Sequence, residues 1–381
     1  MQINIIGAGI GGLTTAIALH RKGFKIKVFD AAPALRPLGA GIVMASNAMQ
    51  VFRRLGCAEA VYAQGNELSA MHITDHRRRS LQCIDIRWVK SRFGEPSVSI
   101  HRGALQQVLL EYLPEGVVFT GKRLKNLTQD ASGVSAFFED GSSDRSDLLI
   151  GADGLRSATR HSIFGTQALR YSTHTCWRGM LDLQLDEPEL VYECWGTEGG
   201  MRVALVQVSP GKVYFYYTEK QNAGFQAPGG DHCAYLKQRL RAFPALYAEA
   251  IGSAANKDIF HDDLYDLTRL ARWHQGRVVL LGDAAHATTP NLGQGACQAV
   301  EDAWFLAEHL AAQTGEAPEQ IFSQYEKSRR TKTDYVVNTS YRIGLLSNLG
   351  GPLGYRLRNA LLKSTPESIN RKQVSRVFKM F

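Results

Sequence analysis

Long apolar runs are missing from these 381 residues, and none approaches the roughly 20 that a membrane-spanning helix needs. The opening MQINIIGAGI has neither a basic segment nor a cleavage site. It reads as a strand, and the chain is expected to stay in the cytoplasm where it is made. Cysteine is scarce. Its six residues, Cys57, Cys83, Cys176, Cys194, Cys233 and Cys297, form no CxxC pair. That points to reduced, buried thiols rather than a disulfide framework or a zinc site. Eleven histidines show no HExxH and no clustered spacing, so no metal is expected. Internal repeats and low-complexity linkers are also lacking. The charge imbalance is mild at +8, and it gathers late, with eleven Lys/Arg against two acids from Arg329 to Phe381. Such a stretch fits nucleic acid or anionic lipid in principle. Solvated faces of C-terminal helices account for it more simply, and no nucleic-acid partner is expected.

What is present is an ordinary globular composition, 44% hydrophobic and 21% charged, long enough for two or three domains. QINIIG is an apolar strand, a glycine-rich turn follows, LTTAIALHRKG is helical, and KIKVFD is a second strand. This β-turn-α-β unit builds a parallel sheet. SNAMQVFRRLG and HRGALQQVLLEYL read as helices, with two short strands around MHITDHRRRSLQCIDI between them. VSAFFEDGSSDRSDLLIGADG alternates, turns at Asp140-Gly141 and returns through a buried strand. From about Tyr171 to Thr218 the chain becomes β-rich, the pattern of an inserted antiparallel sheet. Helices are expected near 231–251, RVVLLGD returns to the parallel style, and helical patterns dominate from 295 onward. The domains therefore interleave.

GAGIGG carries the GxGxxG spacing on Gly7, Gly9 and Gly12, with Gly11 between them. The first glycine permits the tight turn, the second lets a pyrophosphate approach the backbone, and the third allows close helix–strand packing. Asp30 follows eighteen residues after Gly12, at the end of the next strand, where an acid can accept ribose hydroxyls. The pattern is that of a dinucleotide site and leaves NAD(H) and FAD open. DLLIGADGLRSATR places Asp153-Gly154 at the end of a buried strand. A buried carboxylate needs a partner, and Arg156 and Arg160 are near in sequence. LLGDAAHATTPNLGQGACQAVEDA ends a strand in Asp283, interrupts at Pro290, and turns through Gly293-Gln294-Gly295 into a helix. A tight bend ahead of a helix offers free backbone N–H groups to an electron-rich ligand.

The ordered triplet of GxGxxG, DLLIGADG and RVVLLGDAAH…LGQG spans nearly the whole chain. It resembles the FAD-dependent aromatic hydroxylases, the class A flavoprotein monooxygenases typified by para-hydroxybenzoate hydroxylase. The nearest branches are urate hydroxylase-like, hydroxybenzoate hydroxylase-like and zeaxanthin epoxidase-like. The resemblance implies FAD as cofactor and NAD(P)H as co-substrate. Reduction, O2 addition to give a flavin hydroperoxide and oxygen transfer to a small electron-rich aromatic would follow. It further implies that Asp283 and Arg102 lie by the ribityl–pyrophosphate region; Asp30 accepts the ribose hydroxyls, and Ala31, Asp153 and Gly154 are further cofactor-binding candidates, with a purely structural role for Asp153 equally open. Leu124 would offer a backbone contact to adenine. Pro290 would lie beside the flavin ring, and the backbone of Gly293, Gln294, Gly295 and Ala296 would face its pyrimidine edge. Asp30 stands where these hydroxylases more often carry Glu. His286 is expected to pack or cap rather than act as a base.

The implied fold class is α/β: a Rossmann-type FAD-binding domain, an interleaved and mostly antiparallel β-sheet substrate domain, and C-terminal helices. The expected divisions are residues 1–70, 98–165 and 275–330 for FAD, 71–97 and 166–274 for substrate, and 331–381 for the C-terminal helical region. Arg202 and Tyr214, on strands of the inserted sheet, are the substrate-pocket candidates, with Pro290 and Asn291 opposite. Arg202 and Tyr214 resemble a pair in the urate-hydroxylating branch. That branch has an acid after the TTP proline where this chain has Asn291, which argues against urate. A halogenase would carry a Trp-x-Trp-x-Ile-Pro motif, and the five tryptophans are never so spaced. A flavin oxidase or redox sensor is a further alternative. A lipophilic substrate met at a membrane surface is another, because RIGLLSNLGGPLGYRLRNALLK mixes apolar residues and arginines as an interfacial helix does. Its GGP interruption speaks against one long amphipathic helix. The remaining partners expected are O2 and, at most, a second copy in a homodimer.

Overall fold

The strand Gln2–Ile6 is almost wholly buried and is the hub of a six-stranded sheet. It pairs in parallel with Lys25–Phe29 on one side and Leu148–Gly151 on the other, and Leu148–Gly151 pairs in parallel with Val278–Leu280. Val118–Phe119 and His274–Gln275 close the two edges. Strands buried on both faces carry near-continuous Ile, Val and Leu, as these do. The helix Ile10–Arg21 covers one face and is apolar nearly all round, because the helix Gly295–Ala312 packs on its outer side. The coordinates are a computed structural model and describe residues 1–35, 39–312 and 315–380.

Register decides where the motifs meet. Ile6 lies beside Phe29 and Gly151, and Gly151 lies beside Leu280. The turns that follow these strands, at Gly7, Asp30, Ala152-Asp153 and Gly282-Asp283, therefore stand in a row along one carboxyl edge. Ligands of open α/β sheets bind at that edge.

The second layer is a seven-stranded sheet in the order Phe260–Leu267, Leu169–Asp182, Lys212–Lys220, Arg202–Ser209, Leu190–Trp195, Ala70–Asp75, Ser80–Asp85. All its pairs are antiparallel except Leu190–Trp195 with Ala70–Asp75. Strand alternation sends Trp177, Val203, Leu205, Val213, Phe215 and Tyr217 into a core with the helices His232–Leu240 and Ala245–Gly252. The opposite face presents Val191, Ala204, Val206, Tyr214 and Tyr216. Strand Leu169–Asp182 bulges between Tyr171 and Thr175, and Thr173 there has φ +65°, a strained value for a β-branched residue. Asn348 holds it by donating to the Thr173 hydroxyl.

The hairpin turn expected at Asp140-Gly141 is present, and Phe137 pairs with Ser143 across it. The return strand is Ser143–Ser146, while Leu148–Gly151 leaves that hairpin for the parallel sheet. A small sheet of Gly41–Met44, Ser97–His101 and Gly65–Leu68, and the helix Ala58–Gln64, escaped the sequence reading. At the C-terminal end a 30-residue helix, Pro318–Ser347, gives way to Gly351–Lys363 and Glu367–Phe378. The GGP interruption does end the long helix.

Candidate cofactor and substrate site

The first turn is built for a ligand that comes close to the main chain. Gly7 has φ +105°, and a Cβ there would lie 2.4 Å from the carbonyl oxygen of Ala152. A Cβ on Gly12 would lie 1.9 Å from the Gly7 carbonyl oxygen, so neither position accepts a side chain. At Gly9, by contrast, a Cβ would meet nothing within 4 Å. Gly9 is also the N-cap of Ile10–Arg21 and supplies no side-chain cap, leaving the first helical N–H groups free for an anion. Gly11 packs against Ala299 of the helix Gly295–Ala312. Asp30 accepts from the backbone N–H of Ala8 at 2.7 Å and of Ala32 at 2.8 Å, bracketing Ala31. Its carboxylate thus stands beside the glycine turn and clamps it. Gln106 donates to the Ala8 carbonyl at 2.8 Å, tying the helix that starts at Arg102 to the same turn. The Leu124 side chain is buried with Ile6, Phe29 and Phe138.

Asp153 sits against Gly7, and its partners differ from those the sequence offered. It accepts from the Ser157 hydroxyl at 2.5 Å and from the Thr159 N–H and hydroxyl at 2.9 and 3.0 Å. Burial nevertheless raises its carboxyl above the usual range. Arg160 instead donates to the carbonyls of Ala284 at 3.0 Å and Leu155 at 2.6 Å, and Arg156 is exposed. The short Asp153–Thr159 loop with Gly154 is therefore self-satisfied, and Arg160 braces the neighbouring Asp283 turn. Asp283 itself is exposed, its carboxylate 3.8 Å from where a Cβ on Gly295 would stand. The protein mass around it raises its carboxyl, against the opposing pull of His286 and Arg102.

A buried charge network fixes this turn from behind. Asp302 accepts from His286 Nε2 at 2.6 Å, from the Gly282 N–H at 2.9 Å and from Arg329 Nε at 2.8 Å. Burial pushes its carboxyl up, but His286 and Arg329 outweigh that and hold it down at about 2. Glu301 accepts from Arg329 Nη1 at 2.5 Å, Lys332 Nζ at 2.7 Å and Asn47 Nδ2 at 2.5 Å. His286 is thus a structural partner, as expected. The Gln294 side chain points inward to Asn47 and Gln298, leaving only its backbone for a ligand. Glu301, Asp302 and Arg329 were not singled out from sequence. The signal was there in two consecutive acids, Glu301 and Asp302, inside an otherwise apolar helical pattern.

The two remaining candidates from the sheet and the loop meet. Arg202 is 4% exposed and donates through Nη2 to Asn291 Oδ1 at 2.6 Å and through Nε to the Thr218 hydroxyl at 3.3 Å. Asn291 in turn donates to the Thr289 hydroxyl at 3.0 Å and the Ser340 carbonyl at 2.9 Å. Pro290 opens the short turn Pro290–Leu292 and is exposed, and Gly293 closes it at φ +60° before the helix Gly295–Ala312 begins. Tyr214 lies two strand positions from Tyr216 on the same face, its ring 5.8 Å from that of Tyr216, and packs against Gly41. Burial raises both phenols above their usual range. Tyr216 and Trp195 both donate to the carboxylate of Glu193. Two guanidinium groups approach the Trp195 ring, Arg202 at 5.6 Å and Arg358 at 5.2 Å from its centre. Arg358 is fully buried, donates to the Gly196 carbonyl at 2.6 Å, and is held down at about 10 by burial and the charge of Arg202. Trp195, Glu193, Tyr216 and Arg358 were missed, because only the sheet register puts them beside Arg202.

These features fit FAD. A glycine cradle open at Gly9 stands at a helix N-terminus with a clamped acid beside it, and the second loop, Pro290–Ala296, is exposed at Pro290 and Gly293. Comparison with known proteins agrees. Aurachin C monooxygenase/isomerase from Stigmatella aurantiaca is 36% identical over 367 residues, 95% of this chain and 94% of that protein. The 2-heptyl-3-hydroxy-4(1H)-quinolone synthase of Pseudomonas aeruginosa strain UCBPP-PA14 is 32% identical, over 99% of this chain and 98% of that protein. Klebsiella pneumoniae HpxO, solved with FAD and uric acid, superposes with a TM-score of 0.90 at 28% identity, covering 99% of this chain and 96% of that one. The family model for an FAD binding domain matches residues 1–340. The chain belongs to the FAD binding domain family, among its flavoprotein monooxygenases.

Proposed function

We propose that this chain hydroxylates a small, electron-rich heteroaromatic ring bearing an anionic oxygen or carboxylate, using FAD, NAD(P)H and O2. The observation that carries the substrate half is Arg202. Its guanidinium is buried, and its partners among the described residues are neutral: Asn291, the Thr218 hydroxyl and the Trp195 ring. Arg358 also approaches the Trp195 ring, and the one carboxylate beside them, Glu193, is bonded to Tyr216 and Trp195, so neither guanidinium has an anionic hydrogen-bond partner of its own among the described residues. A substrate anion supplies the missing partner. The relatives named for a quinolone and the structure holding uric acid make a ring-nitrogen heterocycle the leading scaffold.

Bound FAD would supply the redox and oxygen chemistry that side chains lack. Gly7, Gly9, Gly11, Gly12, Asp30 and Ala31 would hold its adenosine end, with the Leu124 backbone beside the adenine. Arg102, Asp153, Gly154 and Asp283 would hold the middle of the molecule. Pro290 and the backbone of Gly293–Ala296 would hold the ring, where the N-terminus of Gly295–Ala312 favours negative charge. Tyr214 walls the pocket, and the Arg202–Asn291 bond ties the substrate sheet to the ring-facing loop. We assign residues 1–70, 98–165 and 275–330 to the cofactor half, 71–97 and 166–274 to the substrate half, and 331–381 to a helical C-terminal region.

The test is Arg202→Met in the holoenzyme. Losing a charged hydrogen bond worth about 1.5–3 kcal/mol should weaken binding of the stimulating aromatic roughly 10–150-fold. FAD content should stay at the wild-type level. Unchanged affinity for the aromatic would remove Arg202 from the pocket.

A further inference from the structure

We propose that the helix Gly351–Lys363 and its flanks form a docking surface for an anionic lipid bilayer. The proposal goes beyond the redox reading and does not depend on it. The helix is amphipathic the wrong way round for a water-facing helix. It buries Arg358 and Leu362 and turns Leu353, Leu357 and Leu361 outward, with 81%, 56% and 47% of their surfaces exposed. Spaced four residues apart, these three form one stripe. Leu345 and Ile369, 50% and 53% exposed, lie on the preceding and following helices. Half of the ten exposed large hydrophobic residues among the described ones thus fall between positions 345 and 369.

Charge identifies the occupant. Residues 342–381 hold eight Lys/Arg and one acid, Glu367, so +7 of the chain's net +8 sits here. Arg356 and Lys363 are exposed on the same helix, 60–80° around the axis from Leu353 at about 100° per residue. Arg342, Lys372 and Lys379 are exposed on the helices at either side or just beyond them. A second copy of this face would set one cationic surface against another, since a two-fold interface repeats the same patch. An anionic bilayer satisfies both halves, burying the leucine stripe at the acyl boundary and pairing the basic flank with headgroups. No helix among the described residues is long and apolar enough to cross a membrane, so contact is peripheral. The inward side of the same helix reaches Trp195 through Arg358, the ring that Arg202 also approaches.

The test is co-sedimentation of the full-length holoenzyme with phosphatidylcholine vesicles and with mixed phosphatidylcholine–phosphatidylglycerol vesicles. Leu353→Glu/Leu357→Glu and Arg356→Glu/Lys363→Glu are run alongside, with flavin absorbance and melting temperature as checks on folding. The wild type should partition into the anionic vesicles at low salt. Pure phosphatidylcholine, high salt and either variant should each reduce that partition roughly tenfold or more. No binding by the wild type, or binding by either variant at the wild-type level, overturns the proposal. So does a solution homodimer that Leu353→Glu/Leu357→Glu dissociates, which would assign the stripe to a second copy.

Discussion

Replacing Arg329 with methionine removes a guanidinium that two fully buried carboxylates share. Arg329 sits 2.5 Å from Glu301 and 2.8 Å from Asp302. Glu301 keeps Lys332 and Asn47, and Asp302 keeps His286 and the Gly282 N–H, so each acid loses Arg329 but keeps two other hydrogen-bond donors. Breaking a buried pair from one side costs about 3–5 kcal/mol. Unfolding entropy near 2.1 cal/mol/K per residue over 381 residues comes to about 0.8 kcal/mol/K, so the melting temperature should fall by about 4–6 °C. Because Asp302 also anchors Gly282 and His286, the variant should release FAD more readily at a given dilution. Calorimetry of the holoprotein and flavin retention through gel filtration read the two effects. Adding Glu301→Gln and Asp302→Asn to Arg329→Met should recover part of the loss, since no carboxylate is then left short of a cation. A melting temperature within about 1 °C of wild type for the single variant would refute the claim that this network fixes the Asp283 turn.

Gly12→Ala would place a methyl group 1.9 Å from the Gly7 carbonyl oxygen, so the turn must open, and the purified protein should carry little flavin by its absorbance ratio. Asp302→Asn tests pH linkage. A carboxyl held at about 2 rather than near 3.8 stabilises the fold by about 2 kcal/mol. That advantage is full above about pH 4 and fades as pH falls toward 2, so denaturation curves of variant and wild type should converge over that window. Asn291→Asp would set a carboxylate against Arg202 across the present 2.6 Å contact. Binding of anionic aromatics should weaken roughly tenfold while neutral ones change little, as fluorescence titration of the flavin would show.

The glycine turn, the parallel strands and the β-rich insertion were legible because their signals are local: two-residue alternation, a turn at Asp140-Gly141, a fingerprint between strand and helix. What escaped lies between distant segments. Arg202 and Asn291 each stood out alone, yet 89 positions separate them, and only the placing of sheet on loop makes them a pair. Glu301 and Asp302 were passed over, because only the Pro318–Ser347 helix, 27 and more positions on, brings Arg329 over them. Asp153 drew attention to Arg156 and Arg160, but the chain turns so tightly that Ser157 and Thr159 reach it first. The mix of leucines and arginines in Gly351–Lys363 was legible, but not that the helix turns its leucines outward while Arg358 finds the Gly196 carbonyl and the Trp195 ring inside.

The most direct test of the central claim is the anaerobic rate of flavin reduction by NADH and by NADPH, with and without a panel of small heteroaromatics. The purified protein should carry FAD, one nucleotide should reduce it, and an anionic ring-nitrogen heterocycle should accelerate the reduction in wild type but not in Arg202→Met. Bound FAD that neither nucleotide reduces, under any member of the panel, would contradict that claim.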